Sequence, residues 1–158
     1  MKEAKVLTHV AEFHRTFQHP IKNEPEIPQK QRCALRISLL SEELKELEKA
    51  IEEQDIVEIA DALGDLQYVL GGAILEFGLG NKFHLLFDEI QRSNMTKACS
   101  TKEEAEASVD YYKKREEVEC FYEKVDDKFL LFRKSDHKVL KSILYSPANL
   151  KAILENNK

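Results

Sequence analysis

The sequence predicts an all-α protein, a helical bundle with one small β-hairpin near the C-terminus. Apolar residues recur every three or four positions through residues 2–18, 29–53 and 55–78, which is the pattern of amphipathic helices. Thr101 followed by Glu104 forms a capping box for a polar helix that ends near Glu116. Beyond it, aromatic and branched residues predict two strands, Val118–Val125 and Phe129–Arg133, joined by a turn at 126–128.

The first helix is expected to lead into an extended linker. Its apolar positions are Val6, Val10, Phe13 and Phe17. Three prolines in residues 20–28 prevent a continuous helix there. His14 and His19 lie near the end of the helix, and surface or packing roles are expected for them rather than catalysis.

The two long helices, 29–53 and 55–78, are expected to fold back on each other around Gln54 and Asp55. Asp55 can cap the second helix, with Glu58 three residues later as in a capping box. Because the second helix is apolar on more than one side, we expect a second subunit to cover it. Arg36, one of few cations on the first helix, has two possible partners, an acidic neighbour or a phosphate.

Two groups of carboxylates lie on facing sides of this hairpin. They are Glu42, Glu43 and Glu46 on the first helix, and Glu58, Asp61 and Asp65 on the second. Around the helix axis, the first group falls within an arc of about 100° and the second group within about 60°. Folding at Gln54 places Glu43 level with Asp65, and Glu46 beside Asp61. Like charges at close range repel each other unless a cation lies between them, and hard divalent cations take all-oxygen ligands.

These carboxylates therefore predict a Mg²⁺ site for phosphate chemistry. The alternative is a solvated acidic face, which is common in a chain with 34% charged residues. The whole pattern favours the metal site, because the second helix is otherwise apolar and is not expected to face water.

Hydrogen-bond donors gather after a fourth helix at residues 82–92. Arg92, Asn94 and Lys97 bring a guanidinium, an amide and an ammonium to a polar segment that suits phosphate oxygens. Lys138 and Lys141 add two cations, either for phosphate or simply solvated. A last short helix is expected to begin at Ser146-Pro147.

Composition limits the possible partners and compartment. A chain of 158 residues predicts one domain spanning 1–158. The net charge of −5 argues against nucleic-acid polymers and membrane surfaces. Three cysteines without CxxC spacing predict reduced thiols. No apolar run long enough for a bilayer and no signal peptide is found, so a cytoplasmic location is expected.

The acidic residues also carry a family resemblance. Glu42-Glu43-x-x-Glu46, eleven further residues and then Glu58-x-x-Asp61 resembles the EExxE…ExxD signature of the all-α nucleoside triphosphate pyrophosphohydrolases, the MazG-like and phosphoribosyl-ATP pyrophosphohydrolase-like superfamily. Further segments resemble one subgroup found in phages and bacteria: Phe13 and Phe17, Arg36, Asp61–Tyr68, Arg92–Lys97, Lys138–Lys141 and Tyr145–Pro147. The longer C-terminal half departs from the phosphoribosyl-ATP enzyme proper, so a role in histidine biosynthesis is not inferred.

The resemblance implies a MazG-like helical bundle that hydrolyses a nucleoside triphosphate between the α and β phosphates. It implies Mg²⁺, with Mn²⁺ as an alternative, held by Glu43, Glu46, Glu58 and Asp61. It also implies a homodimer, with a tetramer as the alternative.

Roles for the remaining candidates follow as hypotheses. Glu42 or Asp65 takes the proton from the attacking water, next to the metal ligand Glu46. Substrate contacts are assigned to Arg92, Asn94, Lys97, Lys138 and Lys141 for phosphate or sugar, and to Tyr68 and Phe17 for base stacking. Three rivals remain: a di-iron bundle, disfavoured because no Glu-x-x-His pair occurs, a non-catalytic nucleotide- or cation-binding module of the same fold, and a structural interaction module.

Overall fold

The computed structural model describes residues 2–155, which form two compact units with the boundary between Phe83 and His84. These residues are mostly helical, as predicted, and also form a small antiparallel sheet. The helices are α1 Val6–Thr16, α2 Lys30–Glu52, α3 Ile56–Glu76, α4 Phe83–Met95, α5 Lys102–Arg115 and α6 Leu150–Glu155. The strands are β1 Cys120–Val125, β2 Lys128–Arg133 and β3 Val139–Leu140. A single domain spanning 1–158 stays a prediction.

The turn between α2 and α3 is fixed by local hydrogen bonds. Gln54 has a φ of 56°, and the Asp55 N–H donates to the Ala50 carbonyl at 3.1 Å, as in a Schellman motif. The Asp55 carboxylate then accepts from the backbone N–H groups of Val57, at 2.9 Å, and Glu58, at 3.2 Å. The predicted cap at Asp55 is therefore confirmed. Asp55 closes the end of α2 through its backbone N–H and caps the start of α3 through its side chain.

Replacing Gln54 with Gly is expected to stabilise the protein by about 0.5–1 kcal/mol, because glycine adopts a positive φ without steric cost. Chemical denaturation of both proteins would measure this difference. Gln67→Gly, at an exposed position inside α3, is the matched control and should destabilise by about 1 kcal/mol. A loss of stability in both variants would contradict the assigned turn.

Helix α1 packs closely on α3 because α3 carries a glycine at the contact. A Cβ on Gly71 would lie 3.1 Å from side-chain atoms of both Val6 and Val10. Val10 and Leu75 form the core of this unit, together with Ala11. The linker then runs along the end of α3, where the Lys22 N–H donates to the Leu75 carbonyl at 3.0 Å.

The second unit has its own core between α5 and the sheet. Its buried residues are Cys99, Ala105, Tyr112, Cys120 and Leu131. Strands β1 and β2 pair antiparallel from Cys120 opposite Arg133 to Val125 opposite Lys128, which confirms the predicted hairpin. The Thr101 hydroxyl accepts from the Glu104 N–H at 3.2 Å, which confirms the cap of α5.

Three boundaries in this unit differ from prediction. Helix α4 continues to Met95, so Asn94 lies on a helix instead of a loop. β3 pairs with β2 where only two solvated or phosphate-binding cations were expected. Helix α6 begins at Leu150, not at Ser146-Pro147, and the Asn149 side chain accepts from the Ala152 N–H at 3.3 Å. These differences arise from tertiary contacts, which sequence periodicity does not record.

Two further observations concern the cysteines and the helices. All three cysteines are free thiols, and Cys99 and Cys120 are buried. Within residues 2–155, no helix is both long enough and apolar enough to cross a membrane.

Candidate functional site

Contacts at the open end of the hairpin fix the register of α2 against α3. Arg32 Nε lies 2.5 Å from Glu76 Oε1, and Arg36 Nη1 would lie 2.8 Å from a Cβ on Gly72. In each pair, the two residues are separated from Gln54 by the same number of residues, one before it and one after it. The two helices therefore run level with each other from the turn to the far end, as the folding-back argument predicts.

The same register brings the predicted carboxylates together near the middle of the hairpin. Glu43 is half-buried, and burial raises the pKa of its carboxyl group. The negative charges of Asp65, Glu46, Glu42 and Asp61 raise it further, in that order. The charge of Asp65 comes from the facing helix, which agrees with the predicted placement of Asp65 level with Glu43.

Nearer the turn, a cleft of about 280 Å³ opens between the helices. It is lined by Glu46, Lys49, Ala50, Glu53, Glu58, Asp61 and Ala62. The two alanines are buried and leave room that larger side chains would fill. Three of the four predicted metal ligands thus share one cleft: Glu46, Glu58 and Asp61. The fourth, Glu43, precedes Glu46 by about one helical turn on α2.

The donor set fits a hard divalent cation, although the side chains do not form a ready-made shell. Within residues 2–155, no three His, Cys, Asp or Glu side chains are grouped closely enough to hold a metal ion. All the candidates are carboxylates, and one lysine, Lys49, accompanies them in the cleft. Glu46, Glu58 and Asp61 are exposed, so their side chains are free to change rotamer and converge on a cation.

Replacing Glu43 with Gln is expected to raise the metal-free melting temperature by about 1–2 °C at pH 7, from roughly 0.5 kcal/mol of relieved repulsion at a partly exposed site. The raised pKa means that the folded state binds the carboxyl proton of Glu43 more tightly than the unfolded state does. Ionised Glu43 therefore lowers the free energy of unfolding once the pH rises above the ordinary pKa of 4.5.

The difference between the two proteins should therefore disappear below that value, as melting curves across pH would record. Glu48→Gln, on the exposed surface of α2, is the control and should leave the melting temperature unchanged at every pH. An equal rise in both variants would mean that Glu43 feels only the overall negative charge.

An aromatic cluster lies further along the same unit and contains both predicted stacking residues. The Phe13 ring lies 4.4 Å from the Phe17 ring and 5.6 Å from the Tyr68 ring, and it stacks on His19 at 5.8 Å. Phe17 is 60% exposed. Tyr68 follows Asp65 by one helical turn on the same face of α3, so aromatic surface adjoins the carboxylates.

A buried ion-pair network forms the far end of the hairpin, and sequence reasoning missed its acidic member. Glu76 is fully buried and accepts hydrogen bonds of 2.5 Å from Nε of both Arg32 and Arg36. Burial alone would raise the pKa of Glu76, but the hydrogen bonds from the two guanidinium groups lower it overall. The partner of Arg36 is therefore an acidic residue of α3, which resolves the alternative left open by the sequence.

His14 packs against this network as a neutral side chain. Its Nδ1 donates to the Pro20 carbonyl at 2.9 Å, and its Nε2 lies 3.4 Å from Arg36 Nη2. Burial lowers the pKa of His14, and the charge of Arg36 lowers it further. The expectation that His14 serves in packing is consistent with these contacts.

The predicted phosphate donors all lie in the second unit, where Arg92 is fully engaged. Its guanidinium binds both carboxylate oxygens of Glu89, at 2.7 and 2.8 Å, and also contacts the Ser146 hydroxyl and the Pro147 carbonyl, each at 3.1 Å. The hydrogen bonds from Arg92 and from the Asn149 N–H lower the pKa of Glu89 to about 2. Arg92 thereby holds the segment after β3 against α4.

The other four predicted phosphate donors are Asn94, Lys97, Lys138 and Lys141. The ammonium groups of Lys97 and Lys141 contact neighbouring side chains. Lys97 Nζ donates to Asn94 Oδ1 at 2.8 Å, and Lys141 Nζ lies 4.1 Å from the centre of the Tyr145 ring. Lys138 is exposed, and its backbone N–H donates to Asp136.

The α2–α3 hairpin carries carboxylates on both helices and has aromatic rings beside it, which places the protein among helical proteins with an acidic cleft. The chain belongs to the phosphoribosyl-ATP pyrophosphohydrolase family, which residues 10–94 match, within the MazG-like nucleoside triphosphate pyrophosphohydrolase superfamily. The match covers most of α1, all of α2 and α3, and α4 up to Asn94.

A viral relative is similar to part of the chain. Uncharacterized protein L479 of Acanthamoeba polyphaga mimivirus is 42% identical over 76 residues, which are 44% of this chain and 30% of that protein. The chain thus spans less than a third of the length of this relative.

Proposed function

We propose that the protein hydrolyses a nucleoside triphosphate between the α and β phosphates, in a reaction that requires Mg²⁺ or Mn²⁺ and gives a monophosphate and pyrophosphate. The observation that carries the proposal is the half-buried Glu43 with four carboxylates acting on it, two of which, Glu46 and Asp61, also line one cleft. A folded protein keeps such repulsion where a cation relieves it during function.

In this proposal the four carboxylates Glu43, Glu46, Glu58 and Asp61 hold the divalent cation. When bound, the cation neutralises phosphate charge and lowers the pKa of a coordinated water. Glu42 or Asp65 accepts the proton that the water loses as it attacks phosphorus. Burial raises the pKa of Glu43, and the crowding of carboxylates raises it further.

The remaining contacts position the nucleotide. Tyr68 and Phe17 stack against the base, with Phe13 holding both rings in one cluster. The proposed phosphate contacts are Arg92, Lys97, Lys138 and Lys141, and Asn94 contacts sugar or phosphate. The net charge of −5 argues against a nucleic-acid polymer as partner, and a cytoplasmic location stays a prediction.

We propose further that the protein is a homodimer built on the α2–α3 hairpin, with a tetramer as the alternative. Each helix carries an exposed apolar stripe with a spacing of seven residues. The stripes are Ile37, Leu44 and Ile51 on α2, and Ile56, Leu63 and Leu70 on α3. A spacing of seven suits packing against another helix pair, and both stripes run beside the carboxylates. A second hairpin would cover them and shield the cleft from water.

Leu44→Glu is expected to convert the assembly into a monomer of 18.3 kDa, because a carboxylate cannot be buried unpaired in a helix interface. Light scattering after size-exclusion chromatography gives the mass directly. Ile27→Glu is the control, since Ile27 is 85% exposed but lies outside both stripes. An unchanged mass for Leu44→Glu would remove this face from the interface.

A panel of common and modified nucleoside triphosphates, each with and without Mg²⁺, tests the function as a whole. An enzyme should be stabilised by nucleotide and release pyrophosphate only when Mg²⁺ is present. A non-catalytic binding module would show the melting shift without product. A structural interaction module would show neither result.

A further inference from the structure

The buried His14 ties the end of α1 both to the segment that follows it and to α2. Its Nδ1 atom donates to the Pro20 carbonyl at 2.9 Å, and its own backbone carbonyl accepts from the His19 N–H at 2.8 Å. On the other side of the ring, Nε2 lies 3.4 Å from Arg36 Nη2. Because a guanidinium can only donate, Nε2 is the acceptor and carries no proton. The ring therefore fits this position only in its neutral form.

The contact between His14 and Arg36 is possible because α3 carries a glycine beside it. A Cβ on Gly72 would lie 3.0 Å from His14 Nε2 and 2.8 Å from Arg36 Nη1. Both side chains are buried, so solvent screens the interaction between them only weakly. A positive charge on the imidazole would consequently be strongly unfavourable here.

The segment that His14 fixes carries the aromatic cluster. Phe13 precedes His14 on α1, and its ring contacts the rings of Phe17 and Tyr68. Gln18, the residue after Phe17, has a φ of 58°, which residues other than glycine adopt only where their surroundings hold them. The hydrogen bonds from His14 to the chain beyond Gln18 close this turn, and they thereby fix the direction in which Phe17 leaves the helix.

We propose that His14 is a positioning residue for nucleotide binding: its neutral imidazole holds Phe13 and Phe17 against Tyr68, so that the rings are ready to stack on the base. The inference rests on the proposed function, which assigns stacking to Phe17 and Tyr68, and it adds the group that regulates this surface. Protonation turns Nε2 into a donor that faces the donors of Arg36. The ordered cluster and the protonated ring therefore exclude each other.

The charges that face His14 give this control a defined pH range. Burial lowers the pKa of His14, and the charges of Arg36 on α2 and His19 after α1 lower it further, whereas the hydrogen bond to Pro20 and the charge of Glu76 on α3 oppose them. Opening of the cluster exposes the ring and restores its ordinary pKa of 6.5. Each pH unit between 6.5 and the lowered value therefore favours the open arrangement by up to tenfold, and pH has no effect through this group above 6.5.

Amide hydrogen exchange of the full chain, followed by NMR without nucleotide, tests the pH control. The His19 N–H donates to the His14 carbonyl, so its protection factor reports opening of this segment. We expect this factor to fall by about tenfold from pH 6.5 to 5.5 in the wild type, and to stay within about twofold in His14→Asn. The asparagine amide donates to Pro20 at every pH, because it does not titrate.

Two references accompany the exchange experiment. His9→Asn, at an exposed position on α1, should behave as the wild type. The Val118 N–H, which bonds to the Tyr112 carbonyl within the second unit, should keep its protection over the same pH range. A His19 protection factor that is constant in the wild type, or that falls equally in His14→Asn, would overturn the proposal.

Steady-state kinetics test the effect on nucleotide binding, with the triphosphate of the panel that gives the most pyrophosphate. At pH 7.5, His14→Leu should raise KM at least tenfold and leave kcat within about twofold, because base stacking acts alike on the bound substrate and the transition state. His14→Asn should restore KM to within about threefold of the wild type. Wild-type KM in a folded His14→Leu, or an equal loss in both variants, would refute the positioning role.

The two experiments also distinguish this proposal from the proposed function. If His19 protection follows the expected pH dependence but no triphosphate is hydrolysed, His14 controls the aromatic cluster and the enzymatic function fails. If triphosphates are hydrolysed with the same KM by the wild type, His14→Leu and His14→Asn, the function stands and the positioning role fails. Melting curves establish that each variant is folded.

Discussion

Replacing Glu46 with Gln is expected to lower pyrophosphate release from a nucleoside triphosphate by about a hundredfold or more. Glu46 lines the cleft between α2 and α3 and acts on Glu43, so the substitution removes a metal-ligand charge at the centre of the carboxylate group. The amide keeps the size of the side chain, so folding should be preserved. A coupled pyrophosphate assay at saturating Mg²⁺ measures the effect.

The control for this variant is Glu48→Gln, which neutralises an exposed carboxylate two residues away on the same helix and should retain full activity. Raising the concentration of Mg²⁺ should partly restore Glu46→Gln if the lost charge weakens cation affinity. Unchanged turnover in Glu46→Gln would exclude the assigned role of this residue.

Replacing Glu76 with Leu is expected to destabilise the protein by about 3–5 kcal/mol, the second large effect. The carboxylate is fully buried and binds two guanidinium groups, so its removal leaves Arg32 and Arg36 without a counter-charge. The lowered pKa of Glu76 adds a pH dependence. Its contribution to stability is present above the unfolded-state pKa of a glutamate and is lost as pH falls through the lower folded-state value.

Denaturant unfolding at neutral and acidic pH tests both parts of this prediction. The triple variant Arg32→Met, Arg36→Met and Glu76→Leu should recover much of the lost stability, because it removes all three charges together. If the triple variant is as unstable as the single one, packing rather than uncompensated charge explains the loss. Glu52→Gln, exposed at the end of α2, should have little effect.

The hairpin that carries the site could be predicted from the sequence because its determinants are local. Asp55 caps α3 through its own neighbours, and helical periodicity with folding at Gln54 is sufficient to place Glu43 level with Asp65. The same counting places Arg32 level with Glu76. A glutamate within the apolar end of α3 was the available signal for that ion pair, and sequence reasoning did not use it.

The second unit was less predictable because long-range contacts decide its boundaries. Arg92 reaches across more than fifty residues to Ser146 and Pro147, which keeps that segment out of α6. β3 has two residues, and it forms because Val139 and Leu140 pair with β2. Neither contact leaves a periodic pattern in the sequence.

The central claim is that the carboxylates of α2 and α3 direct cleavage between the α and β phosphates of a nucleotide. The most direct test is phosphorus NMR of the products after the full chain is incubated with Mg²⁺ and the triphosphate that stabilises it most. We predict equal amounts of nucleoside monophosphate and pyrophosphate, with about a hundredfold less of both products from Glu46→Gln in the same time. Release of inorganic phosphate with a nucleoside diphosphate, or no product from any stabilising nucleotide, would contradict the account.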